Sequence, residues 1–225
     1  MQKILREEWV ESSLSDLEQD EPEEQKKHPL RLALEVQSLM NQNDWLVIDG
    51  GNTHFWSEIA VNMAGAQGKE LAGILHPGSF SMLGVGVSFG LAAKLNHPKD
   101  RVVVISGDGA FLSGGLSIEA AFQENVPITV VIDNNGGLTT ISQQQERLFA
   151  DERHVATDFR DIPFHTMFEG MGGHGELVEK PEELKPALER ALSSGKTACV
   201  NVRTRSAISP IVLATTSKRD KASIE

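Results

Sequence analysis

Two apolar, β-branched runs, each stopping abruptly in a polar glycine loop, constrain this chain more than any other feature. Residues 101–105 read as a buried strand that runs into Ser106-Gly107-Asp108-Gly109-Ala110-Phe111. Residues 128–132 read as a second strand and end in Asp133-Asn134-Asn135-Gly136-Gly137. Between them, residues 115–125 carry Leu116, Ala120 and Ala121 at helical spacing, with Glu119 and Gln123 on the other side. This is one βαβ unit, and its topology brings Asp108 and Asn135 to neighbouring strand ends. In open α/β sheets, ligands bind at those carboxyl ends.

The residue types there suit a hard cation holding phosphate oxygens. Mg2+ takes about six oxygen ligands, few of them from protein. Asp108 offers a carboxylate, Asn135 an amide oxygen and Gly137 a backbone carbonyl. Gly107 and Gly109 allow close approach of a diphosphate, and Ala110 and Phe111 can present backbone N–H groups to it. A lone Gly-Asp-Gly would be read as a turn. The second loop, at this spacing, favours a site.

At these residues the sequence resembles the thiamine diphosphate (ThDP) enzymes of the acetolactate synthase and 2-hydroxyacyl-CoA lyase group. Their diphosphate-binding motif begins Gly-Asp-Gly and ends Asn-Asn, as residues 107–135 do. The resemblance covers residues 30–205 and implies that Asp108, Asn135 and the Gly137 carbonyl hold Mg2+, which anchors the cofactor's diphosphate. It also implies that Asn52 and Thr53, in the loop Asp49-Gly50-Gly51-Asn52-Thr53-His54 after a strand at 45–48, touch the diphosphate. Residues 78–90 are similar to the same group. There, Leu83 matches the bulky side chain that bends the cofactor, and Ser81 matches the carbonyl that accepts a hydrogen bond from the aminopyrimidine.

The remaining chain fits a doubly wound parallel α/β sheet with helices on both faces, the ThDP-binding fold. Helices are expected at 29–41, 55–64, 82–95, 162–171 and 181–194, and further strands at 71–75, 176–178 and 197–202. Residues 172–175 read as a turn. Gly84, Gly86, Gly90 and Ala92 suggest a helix face in close approach to a neighbour. Residues 138–150 are polar, glutamine-rich and without a clean period, with Glu146 and Arg147 a solvated pair. His54 reads as a hydrogen-bonding or surface residue rather than a catalyst. Residues 1–29 form an acidic extension with helical spacings around Trp9, and 206–225 a tail or lid ending in Lys218, Arg219 and Lys221.

A length of 225 residues suits one domain or one and a half. The formal charge of −11 and the absence of a basic stripe argue against a nucleic-acid binder. The single Cys199 rules out an internal disulfide and reads as a packed core thiol. With no leader or bilayer-spanning run visible, the expectation is a soluble, cytoplasmic protein.

In the resembled enzymes, the glutamate that activates the cofactor comes from a separate pyrimidine-binding domain. No acidic residue here matches it, so no catalytic residue is assigned to this chain. The resemblance therefore implies a partner subunit carrying that domain, with two or more copies of each chain, as in two-subunit sulfopyruvate decarboxylase. The expected activity is that of a carbon–carbon lyase closest to 2-hydroxyacyl-CoA lyase and oxalyl-CoA decarboxylase. An acetolactate-synthase-like carboligase, a 2-oxoacid decarboxylase and a non-catalytic regulatory subunit are the alternatives.

Overall fold

The computed structural model describes residues 28–149 and 154–217. The expected helix around Trp9 and the basic stretch Lys218, Arg219 and Lys221 lie outside them. Six strands form one sheet in the order β2-β1-β3-β4-β6-β5, and every neighbouring pair is parallel. They are β1 (Trp45–Asp49), β2 (Gly73–Leu75), β3 (Val102–Gly107), β4 (Thr129–Asn134), β5 (His174–Val178) and β6 (Ala198–Arg203). The central strands β3 and β4 are buried at every residue, which is why they read as unbroken apolar runs. The edge strands β2 and β5 are only partly covered.

Alternation along the strands divides the core in two. Leu46, Ile48, Val103, Ile105 and Val131 face α1 (Pro29–Leu39), α2 (Asn52–Ala66) and α8 (Leu184–Ser193). Val47, Val102, Val104, Val130, Ile132 and Cys199 face α3 (Gly86–Asn96), α4 (Asp108–Gly114), α5 (Glu119–Gln123) and α7 (Phe164–Gly170). Phe111 meets Phe164 edge-on at 5.4 Å on this second face, a contact contributing about 1 kcal/mol beyond area burial. Cys199 is fully buried there, and burial pushes its thiol well above the usual range, as expected of a core residue.

Helix starts follow local chemistry. Pro29 opens α1, where the missing N–H costs nothing, and His28 Nδ1 accepts from the Leu30 N–H at 3.1 Å. The small-residue face of α3 lies on the sheet. A Cβ on Gly90 would sit 2.7 Å from Val104 Cγ2, so only glycine lets this helix approach so closely. Ala92 faces solvent instead, and Ala93 takes its place against the sheet.

Several expected boundaries shift. α3 begins at Gly86, where the N–H groups of Gly84 and Gly86 both donate to Asp49 instead of entering a helix that starts at 82. The helix expected at 115–125 is a 3-10 turn, Gly115–Ile118, followed by the short α5. His174 and Gly175, read as a turn, are already in β5, paired with β6. The aperiodic residues 138–150 contain a helix, α6 (Thr139–Leu148). Glu146 bonds to His154 Nε2 at 2.6 Å. A further helix, α9 (Pro210–Ser217), follows β6, and residues 206–213 run back over the domain: Ala207, Ser209 and Val212 are buried. Among the described residues, no helix is long and apolar enough to cross a membrane.

Candidate functional site

From β1 the chain crosses to β2 on one side of the sheet, whereas β3 lies on the other, so the winding reverses beside β1. A cavity of about 290 Å³ opens at the carboxyl ends of β1 and β3, at this switch point. Asn52, Thr53, Ser81, Leu83, Gly107, Asp108, Gly109, Ala110, Asn135 and Gly137 all line it. Phe111 does not: its side chain is in the core.

Asp108 joins the two glycine loops directly. Its Oδ1 accepts from the Gly109 N–H at 2.7 Å, and its Oδ2 accepts from the N–H groups of Gly136 and Gly137, both at 2.9 Å. The carboxyl is only 2 % exposed. Burial, and then the neighbouring Asp133 charge, push its pKa up to about 7 against the pull of those three donors. A bound cation would relieve this stress.

Asp133 supports the site from below. It is completely buried and raised by desolvation, and it accepts hydrogen bonds from the hydroxyls of Thr204 and Thr53 (the latter at 2.7 Å) and from Asn135. Asn135 is thereby oriented, and its Oδ1 is buried with no hydrogen-bond partner among the described residues. Thr140 Oγ1, also on the cavity wall, is in the same condition. A carboxylate, an orphaned amide oxygen and the Gly137 carbonyl form an all-oxygen donor set that fits Mg2+.

The walls are fixed by contacts that no local pattern announces. Asp49, buried and with its pKa raised by desolvation, accepts from the N–H groups of Gly84 (3.1 Å) and Gly86 (2.7 Å). This holds the loop carrying Ser81 and Leu83 against the sheet. Gly84 has φ +90° and lies on Gly114, where an added Cβ would come 2.1 Å from the Gly84 carbonyl oxygen. Only a glycine pair allows that crossing.

Asn52 and Thr53 lie where expected, but their side chains are committed inward. Asn52 Nδ2 donates to Gln143 Oε1 at 2.8 Å, and its Oδ1 accepts from the Ser209 N–H at 3.3 Å. Gln143 in turn donates to Ser206 Oγ at 2.9 Å, and the Trp56 indole donates to the Ala207 carbonyl at 3.2 Å. The segment after β6 is thus clamped to α2 and α6. What Asn52 and Thr53 have for a ligand is backbone N–H at the start of a fifteen-residue helix with no side-chain cap. Sequence reading missed Asp49, Asp133, Thr140, Gln143, Thr204 and Ser209. Of these only Asp49 and Asp133, acidic residues closing apolar strands, carried a local signal.

The family model described as thiamine pyrophosphate enzyme, C-terminal TPP binding domain, matches residues 49–202. This chain belongs to that family. It is 36 % identical over 179 residues to a protein named probable acetolactate synthase from Mycobacterium bovis, covering 79 % of this chain and 31 % of that one. It is 32 % identical over 138 residues to the 2-hydroxyacyl-CoA lyase of rice, covering 57 % and 23 % respectively. The 2-hydroxyacyl-CoA lyase 2 of Homo sapiens is 29 % identical over 162 residues, 72 % of this chain and 24 % of that protein. The chain therefore spans about a third or less of the length of these relatives.

Proposed function

We propose that this chain is the diphosphate-binding half of a ThDP- and Mg2+-dependent carbon–carbon lyase, completed by a pyrimidine-binding domain on a second chain. The observation that carries this reading is the meeting of Asp108 with the Asn135–Gly137 loop around an orphaned buried amide oxygen. Asp108, Asn135 and the Gly137 carbonyl would hold the metal. The first-turn N–H groups of α2, with Thr140, would take the diphosphate oxygens, and Leu83 and the Ser81 carbonyl would orient the rest of the cofactor. When bound, ThDP supplies the electron sink for breaking or making a bond next to a carbonyl.

Among the described residues no glutamate lines the cavity, and its rim supports the need for a second domain. Phe80 is 92 % exposed, Met82 63 % and Leu116 67 %; Leu83 and, on α4, Leu112 are exposed as well, and the Gly84–Gly114 contact joins the two segments. A surface this apolar at a cavity mouth suits a protein partner that closes it. The relatives, three or more times as long as the matched region, support the same conclusion.

For substrate, residues 49–53 and 78–90 favour cleavage of a 2-hydroxyacyl-CoA. Carboligation of the acetolactate synthase type is the second reading, supported by the higher identity and coverage of the Mycobacterium bovis relative. The test is to purify the tagged chain from its host, identify what co-purifies in stoichiometric amount, and assay the complex for both reactions with ThDP and Mg2+. Turnover by the isolated chain, without any second domain, would refute the division of labour.

A further inference from the structure

His54 lines the cavity, and with Glu58 and His76 behind it three potential metal ligands converge. His54 and Glu58 lie one turn apart on α2 and so share a face, with His54 Nε2 2.9 Å from Glu58 Oε1. His76 enters from the turn after β2, its ring centroid 5.4 Å from that of His54 and nearly perpendicular to it. One donor atom from each of the three residues lies within 4.8 Å of the others. His54 is 7 % exposed and forms part of the cavity wall, Glu58 is half-buried and His76 is exposed.

We propose that His54, Glu58 and His76 form a second metal site, selective for a borderline divalent ion such as Zn2+ and distinct from the oxygen-lined Mg2+ position. Two imidazoles and one carboxylate are the donor set of a three-ligand zinc site that keeps a coordination position open. Imidazole nitrogen selects Zn2+, Co2+ or Ni2+ over Mg2+, so the two sites would not compete for the same ion. Because His54 forms part of the cavity wall, the open position is available to water or to an oxygen of a molecule in the cavity.

The rearrangement needed is small. Ligand atoms about 2.0–2.1 Å from Zn2+ in a tetrahedron stand about 3.3 Å apart. The His54–Glu58 pair opens by a few tenths of an ångström, and His76, whose donor atom lies within 4.8 Å of the other two, moves inward by at most about 1.5 Å. The contact His76 gives up is a long one, the Gly78 N–H to its Nδ1 at 3.3 Å, on the protein surface. The electrostatics are favourable too. Two neutral imidazole ligands and the Glu58 carboxylate would give the ion one compensating negative charge, and the Asp49 carboxylate is close enough to His54 to add to it.

The full chain should be titrated with Co2+ in excess Mg2+, following visible absorption, and the Co2+ then displaced with Zn2+. One equivalent is expected to bind, with Zn2+ affinity in the micromolar range or tighter. His76→Ala and Glu58→Gln, with circular dichroism unchanged, should each weaken binding at least tenfold. Asp108→Asn and His154→Ala should bind as wild type. Absence of a stoichiometric site, full binding by His76→Ala, or loss of binding in Asp108→Asn would each overturn the assignment. The readout is metal binding alone, so it stands or falls independently of the cofactor and of any partner.

Discussion

Asp108→Asn is expected to make the metal-free protein more stable at pH 8 and less stable at pH 4.5. In the folded chain, the Asp108 carboxyl has a pKa of about 7 instead of the ordinary 3.8. Between those values the folded state holds a proton that the unfolded state has released, so stability falls as pH rises. The penalty is complete above pH 7, where it amounts to about 4 kcal/mol, and shrinks to about 1 kcal/mol at pH 4.5. Asparagine carries no charge and removes this penalty at every pH. It also loses one acceptor oxygen, leaving the N–H of Gly109 or those of Gly136 and Gly137 unpaired, at about 1–3 kcal/mol. The balance is a gain of roughly 1–3 kcal/mol at pH 8 and a small loss at pH 4.5. Urea unfolding followed by tryptophan fluorescence at both pH values measures it, since Trp45 and Trp56 are in the folded domain. Adding Mg2+ at pH 8 should stabilise wild type and leave the variant unchanged. A variant destabilised by the same margin at both pH values would show that Asp108 carries no buried charge and would refute the argument.

Other perturbations test the supports of the site. Thr53→Val removes a 2.7 Å donor from fully buried Asp133 and should cost about 1–3 kcal/mol by urea unfolding, with Thr53→Ser recovering most of it. Gly114→Ala drives a Cβ to 2.1 Å from the Gly84 carbonyl and should cost about 3 kcal/mol or more while weakening cofactor binding by calorimetry. Trp56→Phe loses the bond to the Ala207 carbonyl, so amides of residues 206–213 should exchange faster with deuterium. Arg190→Ala removes a bidentate but solvent-screened pair with Glu176 and should leave the urea unfolding midpoint almost unchanged.

The parallel sheet and the glycine loops at its strand ends were legible because they are written locally. A buried strand needs unbroken β-branched residues, and a strand-end site needs glycine beside an oxygen ligand. α6 was not legible, for the opposite reason. Its buried side chains include Thr139 and Gln143, which bond to Asn52 and Ser206, and Ser142, which bonds back to the Thr139 carbonyl. A search for apolar period therefore finds nothing there. Asp49 was read as part of a loop, whereas it fastens Gly84 and Gly86, residues that only the folded topology brings near. The segment after β6 had no place in the sheet, and its anchoring depends on single contacts to Asn52, Trp56 and Gln143 that leave no periodic trace.

The order in which the chain is synthesised gives Asp133 one further consequence. Its two hydroxyl donors stand 80 residues before it, at Thr53, and 71 residues after it, at Thr204. A nascent chain that has released β4 from the ribosome can already pair β1, β3 and β4, yet the carboxylate beneath Asn135 still lacks one donor. Cofactor competence therefore arrives late, with the last strand and the segment that follows it. Until then the growing polypeptide has most of a sheet and an unfinished cavity.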